Sequence, residues 1–341
     1  MFEDFYGNRP IADTLEQMIA QERIPQTLLV AGKEGLGKAT LARRFAARLL
    51  GSPEKIEQDD LSLPANAERI LEREKWPSEK RVEDPLLFST HPDFVVFPPD
   101  GPLRQISIQQ MRLLKERAQL RPLHGNRRVF LIDHIDRANE QAANSLLKIL
   151  EEPPQHLILI LTAENPYDLL PTIRSRSVPL QLAPLSVEEM RQFIKAKGLD
   201  HADRRAVLAQ GSPGMAISID LEVYDRRRAA MLALLQTASG VAPFSQWAKY
   251  SEKVSSSKLE KLDFFLKVLY TLLGDILALS QKTDAIQNPD IRAELDAIAA
   301  HVSFEWIRAA VKKVDELMEL VRRNIQKGIA LDALALELRA L

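Results

Sequence analysis

The residues with the clearest chemical purpose form a glycine-rich loop near the N-terminus. A Gly-x4-Gly-Lys pattern runs from Gly32 to Lys38, between an apolar run typical of a strand and a helix-forming run, Leu41–Leu50. Glycines let backbone N–H groups curl around phosphate oxygens, while the helix N-terminus and the lysine add positive potential. The pattern therefore predicts a phosphate-binding loop with Gly32, Gly35, Gly37 and Lys38 as its binding residues.

The loop lacks the hydroxyl group that usually holds magnesium. Phosphate-binding loops of this kind carry Ser or Thr after the lysine, and its hydroxyl coordinates Mg²⁺. Here that position is Ala39, and Thr40 follows one residue later, about 100° further around the helix. We expect the loop and these two residues to take ATP or ADP with weakened Mg²⁺ coordination. Whether nucleotide is bound at all stays open.

A second acidic element follows the apolar run Val129–Ile132. An acidic residue at the end of a buried strand is where P-loop enzymes hold magnesium, and Asp133 fits this role. Many related ATPases carry Glu at the next position to activate water, but this chain has His134. Both departures indicate a nucleotide-binding fold that has lost hydrolysis. The alternative is an active ATPase that uses Thr40 and His134 in unconventional roles.

Apolar runs in the first half of the chain predict the elements that position these residues. Continuous apolar runs separated by helical patterns are typical of parallel strands buried on both faces. The runs are Thr27–Val30, Phe94–Phe97, Val129–Ile132, Leu157–Leu161 and, as a fifth candidate, Leu180–Leu182. From Ser186 onward the periodicity is helical. We predict an α/β P-loop domain with a parallel sheet, followed by helices.

Shifts in composition divide the chain further. Residues 51–84 carry ten acidic and six basic residues, which indicates an insertion or a helical excursion. The sequence Gly-Ser-Pro-Gly at 211–214 predicts a turn between two helices. We place the α/β domain at 1–183, a small helical lid at 184–222 and an all-helical domain at 223–341.

Two stretches of the last domain, Leu259–Leu277 and Ile307–Val321, have apolar residues at helical spacing. Such a stripe forms either part of the core of a helical bundle or a surface that packs against a partner chain. The sequence leaves both interpretations open.

The composition excludes several classes of protein. The chain has 341 residues, a formal net charge of −1, 45% hydrophobic and 27% charged residues, so disorder is not its dominant state. It has no cysteine, which excludes disulfides, thiolate zinc sites and cysteine nucleophiles. We see no membrane-spanning stretch and no secretory signal, and therefore expect a soluble cytoplasmic protein that does not interact with membranes.

A basic segment lies inside this nearly neutral chain. Residues 104–128 contain seven basic residues and one acidic residue, a local formal charge of +6. Arg112 and Lys115 are three residues apart and can share one helix face. Three apolar residues would cover the opposite side: Met111, Leu114 and Leu120. Either a solvated helix face or contact with DNA phosphates explains the pattern, and phosphate contacts would position DNA without reading its sequence.

Longer motifs follow the second acidic element. Asp133–Asn139, Ala142–Pro154 and Leu169–Ser177 closely resemble the AAA+ clamp-loader subunits of bacterial DNA polymerase III. Shorter segments that match in order are Phe5–Asn8, Ile24–Gln26, Gly211–Gly214, Arg322–Asn324 and Ala330–Leu334. The resemblance therefore covers nearly the whole chain.

Within this family the chain is most similar to the delta-prime subunits, because Ala39, His134 and the Gly-Ser-Pro-Gly turn differ from the motor subunits. The resemblance implies an AAA+ domain, a lid and a helical collar for oligomerisation. It also implies a largely non-hydrolysing stator in a heteropentamer with motor subunits and a delta subunit. Such a stator helps to load the sliding clamp onto primer–template DNA.

The resemblance assigns roles to further residues. It implies that Arg176 acts in trans as an arginine finger, stabilising charge on the γ-phosphate of a neighbouring subunit's ATP. Relatives usually have Cys after this arginine, and Ser177 takes its place here. Lys148 joins Arg112 and Lys115 as a candidate for DNA contact.

Many relatives carry a four-cysteine zinc module near residues 51–84. Because this chain has no cysteine, we expect no zinc, and the module is either absent or replaced by a metal-free helical excursion. We expect no metal site elsewhere. His91 and His124 stand alone in the sequence, which favours solvated or hydrogen-bonded side chains over metal ligands.

Overall fold

A computed structural model describes the chain over residues 2, 5–256, 261–321 and 326–340. Leu259, Arg322–Asn324 and the side chain of Val321, which the sequence patterns include, lie outside the described residues. The chain forms two compact units, residues 1–218 and 219–341. The predicted boundary at 222/223 lies close to this division, whereas a separate lid domain starting at residue 184 stays a prediction.

A parallel sheet organises the first unit. Within the described residues it has five strands in the order β2-β3-β4-β1-β5, and every pairing is parallel. The strands are β1 (Thr27–Ala31), β2 (Phe94–Phe97), β3 (Arg128–Ile132), β4 (Leu157–Ala163) and β5 (Val178–Gln181). The first four are buried along their whole length, as continuous apolar runs predict. All five predicted strands are confirmed, with the fifth beginning two residues before the predicted run.

Helices cover both faces of this sheet, because successive strand residues point to opposite sides. Leu28 and Val30 pack in a core with α1 and α2, whereas Leu29 packs in a core with α6 and α7. The helices are α1 (Arg9–Ala20), α2 (Lys38–Leu50), α3 (Pro53–Glu57), α4 (Pro64–Arg73), α5 (Ser78–Glu83), α6 (Ile108–Ala118), α7 (Glu140–Glu151) and α8 (Pro171–Arg174). The predicted α/β domain with a parallel sheet is confirmed.

Residues 51–84 form the three helices α3, α4 and α5, which confirms the helical excursion. The buried side chain of Arg73 connects this segment to the rest of the unit. Its guanidinium donates to both carboxylate oxygens of Asp100 at 3.0 and 2.7 Å and to Asp84 at 3.1 Å. A charge-assisted network of this kind fixes the end of α4.

Three short helices complete the first unit: α9 (Val187–Ala196), α10 (Ala202–Leu208) and α11 (Pro213–Ser218). Ser186 begins α9 with a capping box, in which its side chain and that of Glu189 satisfy each other's backbone N–H groups. Gly211, with a φ of +78°, lies in the turn between α10 and α11. The predicted turn between two helices is therefore present.

The second unit is helical throughout its described residues. Its helices are α12 (Leu221–Ala238), α13 (Phe244–Ser256), α14 (Leu262–Ser280), α15 (Arg292–Ala299), α16 (Phe304–Val321) and α17 (Lys327–Arg339). Most described apolar residues of the two predicted stripes, including Leu266, Leu269 and Val314, are buried in one core of this unit, and the others, such as Leu277 and Val311, pack against it. The apolar stripes of α14 and α16 therefore mainly form the core of the helical bundle. Within the described residues, no helix has both the length and the apolar character that a membrane span requires.

Candidate nucleotide-binding site and arginine motif

The glycine-rich loop connects β1 to α2, as predicted. Gly35 and Gly37 have φ values of +77° and +86°, which favour glycine, and Gly37 immediately precedes α2. Lys38 is 5% exposed, and its Nζ donates to the carbonyl oxygens of Gly32 at 2.6 Å and Lys33 at 3.0 Å. Burial lowers the pKa of Lys38, although the nearby carboxylates, Asp133 foremost, oppose this shift.

An open cavity of about 1100 Å³ lies over this loop. Among the residues that line it are Lys38, Ala39, Thr40, Asp133 and His134. The structure therefore brings the glycine-rich loop and the acidic element after β3 together at one cavity. Thr40 reaches the cavity one position further along α2, and both it and Ala39 are half-buried.

Aromatic rings line the same cavity. Tyr6, next to the N-terminal end of α1, and Phe193 of α9 meet edge to face with ring centroids 5.4 Å apart. The residues therefore fit a nucleotide in two respects: a cation at a helix N-terminus for phosphate, and apolar rings for a base. They do not fit the usual magnesium ligand set, because Ala39 presents a methyl group where a hydroxyl is required.

Asp133 follows directly after β3 and is almost fully buried. The hydroxyl of Thr162, on the neighbouring strand β4, donates to Asp133 Oδ1 at 2.6 Å and accepts the backbone N–H of His134 at 2.8 Å. Thr162 thus fixes both residues of the acidic element. It is not among the predicted site residues, and its only signal in the sequence is a polar residue inside an apolar strand.

His134 adopts the left-handed backbone conformation with a φ of +54°. Its Nδ1 lies 3.9 Å from Asp136 Oδ1, and neither atom has a hydrogen-bond partner among the described residues. The histidine lines the cavity at the position where many relatives place a glutamate.

Ser212, just before α11, and Gly214, in the first turn of that helix, pack directly on the phosphate-binding loop. Ser212 Oγ donates to the carbonyl oxygen of Glu34 at 3.1 Å, and the backbone N–H of Gly214 donates to the carbonyl oxygen of Gly35 at 2.8 Å. A Cβ added to Gly35 would collide with Ser212 Oγ. The close contact of the two segments therefore requires glycine at these positions. The spacing of the residues in the sequence does not reveal this contact.

The helical excursion contributes a wall of the cavity. Arg43 of α2 is buried, and its Nε donates to Glu57 Oε2 at 3.0 Å while its Nη2 donates to Asp60. All three residues line the cavity. The first part of the excursion, residues 51–62, thus contributes to the lining of the candidate nucleotide cavity.

Arg176 lies two residues after the end of α8, outside the set of described residues that line the cavity. Its side chain is 35% exposed, and Nη2 donates to Glu151 Oε1 at 3.0 Å. Nη1 donates to the carbonyl oxygen of Thr172 at 3.1 Å. The motif therefore presents an accessible arginine apart from the chain's own phosphate-binding loop.

The predicted basic helix is α6, which begins with a capping box formed by Ser107 and Gln110. Arg112 and Lys115 are exposed, and Met111 and Leu114 are buried on the opposite side. The prediction that Leu120 helps to cover that side is wrong, because it lies beyond the helix and is 57% exposed.

Two of the seven basic residues in this segment have their guanidinium groups bound within the chain. Arg128 is 4% exposed in β3, where its guanidinium donates to the carbonyl oxygens of Arg117 at 2.7 Å and Pro92 at 3.1 Å. Arg104 Nε donates to Glu74 Oε1 at 2.6 Å. The formal local charge of +6 therefore overstates the charge available to a ligand.

Lys148 is exposed on α7, the helix that packs beside α6 in the same core. The structure therefore places all three candidate DNA contacts on exposed faces of two neighbouring helices.

His91 and His124 are adjacent, although they are far apart in the sequence. Their ring centroids are 6.2 Å apart, and His91 Nδ1 accepts the backbone N–H of Asp93 at 3.1 Å. Burial lowers the pKa of His91. The expected hydrogen bond is present for His91, and the described residues contain no group of three or more His, Cys, Asp or Glu arranged to hold a metal ion.

Comparison with known proteins gives consistent matches. The family model described as DNA polymerase III, delta subunit, matches residues 7–186, and that of its C-terminal region matches residues 226–339. The DNA polymerase III subunit delta' of Pseudomonas aeruginosa is 33% identical over 193 residues, which are 54% of this chain and 52% of that protein. The match thus spans about half of that relative's length.

Two further relatives belong to the same polymerase. Subunit delta' of Bacillus subtilis is 28% identical over 270 residues, 76% of this chain and 75% of that protein. Subunit tau of Escherichia coli is 26% identical over 226 residues, 64% of this chain and 32% of that protein. Since the first family model covers more than half of the chain, the chain belongs to the DNA polymerase III delta subunit family.

Proposed function

We propose that the chain is a delta-prime-type subunit of the DNA polymerase III clamp loader. It acts as a largely non-hydrolysing stator: it donates Arg176 to the ATP of a neighbouring motor subunit and helps to load the sliding clamp onto primed DNA. The observation that carries this proposal is that Arg176 is exposed and lies outside the chain's own phosphate cavity.

The residues of the candidate nucleotide site also support a chain that does not hydrolyse ATP itself. Lys38 and the N-terminus of α2 suit a phosphate group, but Ala39 and His134 stand where hydrolysing relatives carry a hydroxyl and a carboxylate. ATP or ADP bound here would be a structural ligand. Arginine suits the opposite role, because it is always charged and its planar fork binds phosphate oxygens in pairs.

The partners follow from the same proposal. They are the motor subunits and the delta subunit, joined in a heteropentamer through the second unit, together with the sliding clamp and primer–template DNA. Arg112, Lys115 and Lys148 would contact DNA phosphates, which position a duplex without reading its sequence. A complex of this kind works in the cytoplasm.

A second candidate function is that of an active ATPase of the motor type. Thr40 lines the cavity together with Lys38 and Asp133, and the tau subunit is also a sequence relative. Mg²⁺-dependent ATP hydrolysis by the isolated chain separates the two candidates. Turnover that Lys38→Ala abolishes would establish the motor-type function, whereas the stator proposal expects no turnover above background.

Reconstitution tests the stator function directly. Motor and delta subunits, sliding clamp and primed DNA are combined with and without this chain, and clamp loading is measured as clamp retained on the DNA. We expect loading only when the chain is present. Loading at the full rate in its absence would contradict the proposal.

A further inference from the structure

The guanidinium of Arg176 is held by its own chain on both of its terminal nitrogens. Nη2 donates to Glu151 Oε1 at 3.0 Å, and Nη1 donates to the carbonyl oxygen of Thr172 at 3.1 Å and approaches Ser175 Oγ at 3.5 Å. A guanidinium binds a phosphate group best through two parallel N–H donors. Nη1 has two partners and Nη2 has one, so a fork through both terminal nitrogens is not available while these contacts persist.

Glu151 is the last residue of α7, and Arg176 follows α8, which packs against that helix. Their side chains are 51% and 35% exposed, so water screens the ion pair. Exposed pairs of this kind are weak and easily exchanged. A phosphate group, which carries more charge than a carboxylate, can therefore displace Glu151.

The neighbouring arginine of the motif is held differently. The guanidinium of Arg174 lies over the ring of Tyr167, 5.0 Å from its centroid. That contact involves no anion, so an incoming phosphate has no carboxylate to replace there. Of the two arginines of the motif, Arg176 is the one whose described contacts include a carboxylate.

We propose that Glu151 is a positioning residue that withholds Arg176 in the unassembled chain and releases it to the phosphate of a neighbouring subunit's nucleotide. This inference rests on the proposed function of Arg176. Withholding keeps the arginine from binding other anions before assembly, and it makes release dependent on a correctly placed triphosphate. Removal of the Glu151 charge should therefore ease engagement of Arg176.

The test uses the full chain in the reconstituted complex and measures DNA-stimulated ATP turnover as the concentration of this chain is raised. Glu151→Gln keeps the shape of the side chain and removes its charge. We expect it to lower the half-saturating concentration by about 1.5- to fivefold, the range that loss of an exposed ion pair allows. Glu151→Asp retains the charge and should behave more like the native chain.

The adjacent Glu152 provides a matched control. It is exposed at the end of α7, and Glu152→Gln should leave the half-saturating concentration unchanged. A double variant, Glu151→Gln with Arg176→Ala, should match Arg176→Ala alone, because Glu151 acts through the arginine. A general change in helix stability would not produce this dependence.

The outcomes distinguish two failures. If Arg176→Ala lowers turnover but Glu151→Gln behaves like Glu152→Gln, or lowers turnover itself, the withholding role of Glu151 is wrong and the proposed function stands. If Arg176→Ala has no effect on turnover, the finger assignment is wrong, and the inference about Glu151 is overturned with it.

Discussion

Gly214 donates its backbone N–H to the carbonyl oxygen of Gly35 at 2.8 Å, and a Cβ on Gly214 would lie 2.8 Å from the Gly35 Cα. The first turn of α11 and the phosphate-binding loop thus meet backbone to backbone. Any side chain at either glycine must separate them. The geometry of the nucleotide cavity therefore depends on residues almost 180 positions apart in the sequence.

Gly214→Ala tests this contact. Forcing a methyl group into a close-packed contact destabilises a protein by about 1–3 kcal/mol. We expect a loss of this size in the free energy of unfolding of the first unit, measured by hydrogen exchange of its strand amides. Gly274→Ala, at a helical position of the second unit with open space around the added Cβ, should instead leave the first unit unchanged and be neutral or slightly stabilising for the second.

Ala39→Thr should restore magnesium dependence to nucleotide binding. The native chain has no hydroxyl at this position, so we expect its affinity for ADP or ATP to be nearly the same with Mg²⁺ or with EDTA. The threonine variant should bind more tightly when Mg²⁺ is present. Titration with a fluorescent nucleotide measures both, and Thr40→Ala is the control. A strong Mg²⁺ dependence of the native chain that Thr40→Ala removes would show that Thr40 replaces the missing ligand.

Arg73→Met should destabilise the first unit by about 3–5 kcal/mol, because it leaves the carboxylate of Asp100 buried without its partner. Urea unfolding measures the loss, and limited proteolysis shows whether residues 51–84 become accessible. Arg69→Met is the matched control on the same helix. Its guanidinium lies over the Phe88 ring at an exposed position, so its removal should have an effect of about 0.5–1 kcal/mol. Equal effects of both variants would contradict the anchoring role of Arg73.

His91 should make stability depend on pH. Burial lowers its pKa from the ordinary value of 6.5, so between the two values the unfolded chain binds a proton that the folded chain does not. The free energy of unfolding therefore falls as the pH decreases through this window, and the stabilising contribution of neutral His91 is fully present above it. His91→Asn keeps an acceptor for the Asp93 N–H but cannot titrate. Urea unfolding at pH 5 and pH 7.5 should show a smaller pH difference for the variant than for the native chain.

The strands and the phosphate-binding loop were predictable, because both depend on local patterns. Continuous apolar runs predict strands buried on both faces, and the glycine spacing predicts a phosphate-binding loop between a strand and a helix. The order of the strands is not written in any local pattern. Neither is the pairing of Asp133 with Thr162, which arises only because β3 lies beside β4.

The formal charge of a segment does not predict the charge that its surface offers to a ligand. Arg104 and Arg128 contribute to the basic segment by composition, yet one pairs with Glu74 and the other is buried among backbone carbonyls. A count of charges cannot separate solvated residues from those that hold the fold together, since the distinction depends on distant partners. For the same reason the contact between Arg176 and Glu151 could not be predicted.

The most direct test compares two variants of this chain in the reconstituted clamp loader: Arg176→Ala and Lys38→Ala. DNA-stimulated ATP turnover is measured after assembly of each complex has been verified. Arginine fingers contribute about 10³–10⁵ to kcat in GTPases, so turnover at the motor site that depends on Arg176 should be nearly lost. Lys38→Ala should leave turnover close to the native value, because under the proposed function the chain's own site does not hydrolyse ATP. The opposite result, in which turnover depends on Lys38 and not on Arg176, would contradict the account.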